Sequence, residues 1–141
     1  MVNTIVVGID ISEMTARVMD ALNKIQVDSS TKIILCHVLP ASENYGDQEA
    51  DKPHTSWESL YQHREKQLTY YADKIKGSVI EIVRGDPAEE IIRLANIYHA
   101  DLIVIGTRGL KGFKRIIEGS VSSQVVTDAL CDVLVVKPAK N

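Results

Sequence analysis

Residues 78–106 read SVIEIVRGDPAEEIIRLANIYHADLIVIG, and this stretch sets the fold class. Ser78–Val83 and Asp101–Ile105 are short runs rich in β-branched residues. Both are nearly continuous in apolar character, which is how strands covered on two faces read. Between them the start of a helix is spelled out: Asp86 suits an N-cap, Pro87 the first helical position, and Glu89 the third. There Glu89 can reach back as in a capping box. Outward from this unit the same signals repeat. Thr4–Ile9, Lys32–Leu39 and Val133–Val136 are further strand runs. Trp57, Leu60, Arg64, Leu68, Tyr71 and Ile75 advance by threes and fours, so their apolar members share one helix face. Strands alternating with helices predict right-handed crossovers and an α/β fold. The expected architecture is a three-layer sandwich, a five-stranded parallel sheet with helices on both faces, in the Rossmann-like manner.

Length and composition agree. The 141 residues predict one domain spanning residues 1–141, with no internal repeat. Hydrophobic residues at 45% and charged residues at 25% exclude disorder, collagen and a disulfide scaffold. The net charge is −3, and aromatics make up 5% of the chain. Neither a basic field nor a stacking platform is present, which speaks against a polynucleotide partner. Cys36 and Cys131 show no metal-ligand spacing. The start Met1-Val2-Asn3-Thr4 has no basic leader region, and no apolar run approaches the ~18–20 residues of a membrane span. A cytoplasmic protein with free thiols is expected.

The chemistry concentrates after the fourth strand. Glycines at 106, 109, 112 and 119 precede a helix whose apolar face is expected to include Val121, Val125 and Leu130. Glycine lets a backbone approach a ligand closely, and a helix N-terminus favours an anion. Ser120, Ser122 and Ser123 can add hydroxyl donors, and Arg108, Lys111, Lys114 and Arg115 supply four of the 16 cationic side chains. Together these residues predict a phosphate site. Neither Gly-x-x-x-x-Gly-Lys-Ser/Thr nor Gly-x-Gly-x-x-Gly occurs, which disfavours a P-loop NTPase and a dinucleotide dehydrogenase. The polar segment Pro40–Thr55 follows the second strand on the ligand-binding edge of such sheets, where a flap over a ligand and a plain surface loop are both open. Asp10 ends the first apolar run; it could accept ribose hydroxyl protons or help hold a hydrated Mg²⁺, or it could cap the first helix, a task equally open to Ser12.

The motif Gly106-x₂-Gly109-x₉-Gly119-Ser120 resembles the ATP-binding signature of the universal stress protein family. The likeness extends along the chain through Thr4-Ile-Val-Val-Gly-Ile-Asp10-Ile-Ser12, Leu35-Cys-His37-Val38, Gly85-Asp86-Pro87-Ala-Glu-Glu-Ile and Val133-Leu-Val-Val-Lys-Pro138. Asp132 stands where relatives often carry Pro, and Glu118 puts a negative charge beside the phosphate glycines. The resemblance implies an adenine nucleotide alpha-hydrolase-like fold. It also implies a nucleotide site in which Ile9 and Val38 frame the adenine and Asp10 contacts the ribose. Ile105 and Gly106 would line the ribose side, and Gly109, Gly119, Ser120, Val121 and Ser122 the phosphates. ATP with Mg²⁺ (or Mn²⁺) is the implied cofactor, and a homodimer through the C-terminal strand the implied assembly.

The resulting expectation is a nucleotide-responsive regulatory module of the stress response. Any hydrolysis or autophosphorylation would be slow, because no general base or transfer arginine is arranged, and no catalytic residue is assigned. The alternative is a relative that binds no nucleotide and works through contacts with regulatory proteins. An adenylating ligase is disfavoured, because Gly8-Ile9-Asp10-Ile11-Ser12 is too poor in glycine to hold a pyrophosphate. His37, His54, His63 and His99 fall on different elements and predict no metal site. Trp57, Tyr70 and Tyr71 read as helix packing.

Overall fold

The computed structural model describes residues 2–25, 27–39, 57–107 and 121–138. Five strands, β1 (Thr4–Gly8), β2 (Lys32–Leu39), β3 (Val79–Arg84), β4 (Leu102–Gly106) and β5 (Asp132–Val136), form one sheet in the order β3-β2-β1-β4-β5. Every adjacent pair is parallel. Four helices connect them: α1 (Met14–Lys24), α2 (Trp57–Ala72), α3 (Pro87–Ile97) and α4 (Val121–Asp128). The expected α/β architecture is therefore what forms.

Strand order explains the layers. From β1 the chain steps outward to β2 and β3, then returns across β1 to β4 and β5. Right-handed crossovers then put α1 and α2 on one face and α3 and α4 on the other. Alternating side chains feed two cores. Ile5, Val7, Leu35 and Val104 pack with Met14, Val18, Leu22 and Leu68. Val6, Ile34, Cys36 and Ile103 pack with Ala88, Ile91, Leu94 and Val125. With both faces covered, the central strands read as unbroken apolar runs, and Ile5, Val6 and Val7 are fully buried. Leu68 is the one residue of α2 that is fully inside, with Trp57, Leu60 and Tyr71 half-buried around it. Truncating such a leucine to alanine costs about 2–5 kcal/mol.

The helix signals hold with two adjustments. Asp86 is the N-cap of α3, with Pro87 in the first position, and its carboxylate accepts from the Glu89 N–H at 3.0 Å. α2 ends at Ala72, so Ile75 lies beyond it, in a turn closed by Ile75 N–H donating to the Ala72 carbonyl at 3.0 Å. Leu130 does not join the apolar face of the last helix: α4 ends at Asp128, and Leu130 is 87% exposed. Tyr70 is exposed and meets Tyr71 edge-on at 5.1 Å. Among the described residues no helix is long and apolar enough to cross a membrane.

Candidate functional site

The chain leaves β1 and β4, which lie side by side, towards opposite faces of the sheet. A crevice opens outside their carboxyl ends, the place where open α/β sheets hold ligands. Here it is a cleft of about 380 Å³. Gly8, Ile9 and Asp10 border it from the end of β1, His37 and Val38 from β2, and Ile105 and Gly106 from β4. Met14 and Val18 close one side, Pro87 and Ile91 the other, with Arg64 and Val121 at the rim.

The glycines of the cleft serve packing. A Cβ at Gly8 would lie 2.9 Å from Ile105 Cγ2 and 3.0 Å from Ile91 Cδ1. At Gly106 it would lie 3.0 Å from Met14 Cε and 3.2 Å from Val18 Cγ2. The room expected for a ligand at Gly106 is thus taken by α1, and what this residue offers the cleft is its backbone.

The turn from β1 into α1 settles which residue caps the helix. Ser12 Oγ accepts from the Met14 N–H at 3.1 Å, while the Ser12 N–H donates to Thr15 Oγ1 at 3.0 Å. Ser12 therefore satisfies the first N–H of the helix from one residue before the N-cap position, Glu13, whose own side chain makes no cap bond. The Ser12 hydroxyl donates to Asp10 Oδ1 at 2.7 Å, fixing an exposed carboxylate at the cleft mouth. Between them Ile11 has φ 54°, a left-handed conformation that is an outlier for a β-branched side chain. Such strain costs of order 1–3 kcal/mol and is held only where the surroundings impose it.

Among the described residues, three buried polar atoms have no hydrogen-bond partner: His37 Nε2, Arg64 Nε and Thr107 Oγ1. Buried polar groups are almost always satisfied, so each orphan needs a reason. His37 is the most enclosed, only 6% exposed. Its Nδ1 lies 2.6 Å from the Ile9 carbonyl oxygen, which can only accept, so Nδ1 carries the proton. Burial holds the ring's pKa below its ordinary 6.5; the Ile9 contact and Asp10 oppose this, and Arg64 reinforces it. A neutral ring then leaves Nε2 as a buried acceptor without a partner among the described residues. Arg64 spends Nη1 on Gln67 Oε1 at 2.9 Å and leaves its Nε–H unused.

Of the residues singled out by sequence, the fold brings Ile9, Asp10, Val38, Ile105, Gly106 and Val121 around one cleft. The Ile9 N–H is already donated to the Cys36 carbonyl at 2.8 Å. Ser122 is 6% exposed and does not border the cleft. Gly109, Gly119 and Ser120, the cations at 108–115, Glu118, His54 and the 40–55 segment lie outside the described residues. Cys36 is buried as expected, which together with nearby Glu81 and Glu90 pushes its thiol up to about 12. Cys131 is half-buried, its thiol raised mainly by burial. No metal cluster of His, Cys, Asp or Glu forms among the described residues. Sequence reading passed over His37 and Arg64 as site residues. The signal was there for His37, an imidazole inside an apolar strand near its carboxyl end. Arg64 gave none, because it sits in a helical repeat like any solvated residue.

Comparison with known proteins supplies the context. The model of the Universal stress protein family matches residues 1–137. Universal stress protein MJ0531 of Methanocaldococcus jannaschii is 50% identical over 61 residues, which is 43% of this chain and 36% of that protein. Universal stress protein YxiE of Bacillus subtilis is 26% identical across 97% of this chain and 100% of its own length. A crystal structure of a universal stress protein in complex with cAMP superposes with a TM-score of 0.67 at 26% identity, covering 96% of both chains.

Proposed function

The chain belongs to the universal stress protein family, and we propose that it is a single-domain regulatory module that binds ATP in the cleft outside β1 and β4. The observation that carries this reading is the cleft itself: it opens where the strand order reverses and is about 380 Å³ in volume. Its walls are mainly apolar side chains, with a fixed carboxylate at the mouth. Ligand pockets have this composition, mostly apolar with a few placed polar groups. The solved relative in complex with cAMP supports an adenine nucleotide as the occupant.

In this reading Ile9 and Val38 flank the base, and Asp10 takes the ribose hydroxyls. Ile105 and Gly106 line the sugar, while Val121, with Gly109, Gly119 and Ser120, receives the phosphates. Asp10 is the one carboxylate bordering the cleft among the described residues. That suits a Mg²⁺ ion carried mainly by phosphate oxygens and water, the ion supplying charge neutralisation there. Hydrolysis and autophosphorylation are slow at most. The module works in the cytoplasm, and ATP occupancy changes the surface it offers to regulatory proteins.

A second copy pairs with β5. This strand is the sheet edge, Leu134 on it is 37% exposed, and Leu130 and Val126 nearby expose 87% and 54%. An unpaired apolar edge favours pairing with another strand, and a two-fold arrangement closes it. Light scattering is expected to give a dimer mass at micromolar concentration; a monomer mass would count against this pairing. A mass spectrum of the ligand released from purified protein tests the nucleotide reading. It is expected to show ATP or a related adenine nucleotide, and a bound molecule of other chemistry would replace that reading.

A further inference from the structure

The hydroxyl of Ser12 makes two bonds of opposite sense. It accepts from the Met14 N–H at 3.1 Å and donates to Asp10 Oδ1 at 2.7 Å. A serine hydroxyl carries one proton. The amide supplies the proton of the first bond, so the hydroxyl's own proton is committed to the carboxylate. Position 12 is itself held from the helix side. Its N–H donates to Thr15 Oγ1 at 3.0 Å, and the Thr15 N–H donates to the Ser12 carbonyl at 3.0 Å. Thr15 is 1% exposed, so this frame is anchored in the core. Satisfying a helix start asks only for an acceptor. The donor that reaches Asp10 lies beyond that need, and it falls on a carboxylate that borders the cleft.

We propose, resting on the ATP reading above, that Ser12 is a positioning residue that holds the Asp10 carboxylate in one orientation for the vicinal hydroxyls of the ribose. Ser12 does not border the cleft and Asp10 does, so Ser12 acts through Asp10. The two oxygens of a carboxylate offer about four acceptor sites, which leaves room for the serine and for a diol together. Asp10 is exposed, and without a fixed neighbour such a side chain turns among rotamers in water. Ordering it only on binding would weaken the ligand by about fivefold. Hydrogen bonds to an ionised acceptor are the strong ones, so preference for a sugar bearing both hydroxyls reads the orientation of Asp10.

Titration calorimetry near neutral pH with ATP and 2′,3′-dideoxy-ATP, which lacks only the two sugar hydroxyls, tests this. The quantity read is the ratio of the two affinities. Both ligands see the same folded fraction, so any loss of helix stability in a variant cancels from that ratio. The wild-type protein is expected to prefer ATP by about thirtyfold. Ser12→Ala is expected to lower the preference about fivefold, and Ser12→Thr, which keeps the hydroxyl, to restore it. Asp10→Ala is expected to bring the ratio near one. In that background Ser12→Ala should change it no further, because the serine has nothing left to position. A Ser12→Ala ratio equal to the wild-type value overturns the proposal and leaves Ser12 a support of the helix start alone. So does a Ser12→Ala effect that persists in the Asp10→Ala background, or a preference that Ser12→Thr fails to restore. A wild-type ratio of one with ATP still bound overturns it too, while the nucleotide reading stands. Failure of the wild type to bind either nucleotide removes that reading and this inference together.

Discussion

The two ends of the sheet spend their polar groups in opposite ways. At the amino end Asp101 Oδ2 accepts from the Asn3 and Thr4 N–H groups, each at 2.9 Å. The Asp101 N–H donates in turn to the Thr4 carbonyl at 2.9 Å, Lys32 N–H to Asn3 at 2.8 Å, and Thr31 Oγ1 to Val2 at 3.0 Å. Donors and acceptors there close on one another. At the carboxyl end His37, Arg64 and Thr107 each bury a polar atom with no partner among the described residues. An unmade buried hydrogen bond costs about 1–3 kcal/mol. One end of the sheet stabilises the fold; the other gives up stability around the cleft.

Substitutions can break or sharpen this contrast. The largest expected effect is that of Gly8→Leu at the carboxyl end, because even its Cβ would lie inside van der Waals contact with Ile105 and Ile91. Overpacking of this kind costs about 1–3 kcal/mol. Urea denaturation should show that loss, with nucleotide retention lost as well. At the amino end Asp101→Ala leaves two backbone donors without their carboxylate and is expected to cost about 1–2 kcal/mol in the same assay. Nucleotide affinity should be unchanged, and a loss of affinity would show that the two ends are coupled. His37→Asn is expected to cost about 1–3 kcal/mol, because it keeps an N–H for the Ile9 carbonyl but buries an amide oxygen with no partner.

The smallest effects lie in the pH profile, and each end has its own window. The folded pKa of His37 is depressed below 6.5. The unfolded chain therefore binds more protons just below that value. Its contribution is fully present above pH 6.5 and is lost as pH falls towards the folded pKa, so the melting temperature should decline in that range and flatten in His37→Asn. Asp28, in the turn before β2, is held below its ordinary 3.8 chiefly by hydrogen bonds from Ser30. Its contribution is present above 3.8 and lost only in stronger acid. Melting curves across pH 3–7 should separate the two windows, and a single merged transition would contradict that assignment.

The fold was legible because each element announces itself locally. Doubly covered strands are apolar throughout, and the Asp86-Pro87 start places α3 to the residue. Helix ends were less legible. The spacing of Ile75 and Leu130 continues the pattern after the backbone has turned, since periodicity does not record where hydrogen bonding stops. For the site, glycines and serines after β4 drew attention by composition, and Ile105, Gly106 and Val121 do border the cleft. The unpartnered, buried nitrogen of His37 could not be read in advance. Its meaning depends on the Ile9 carbonyl occupying the other nitrogen, a contact between residues 28 apart in sequence. The role of Ser12 was legible only as an alternative, because Asp10 and Ser12 are both fit to cap and only geometry decides between them.

Equilibrium dialysis of the purified wild-type protein against millimolar ATP tests the central claim most directly, with Asp101→Ala and Gly8→Leu dialysed alongside. The account predicts that wild type and Asp101→Ala retain ATP alike while Gly8→Leu retains none. No retention by the wild-type protein would contradict it.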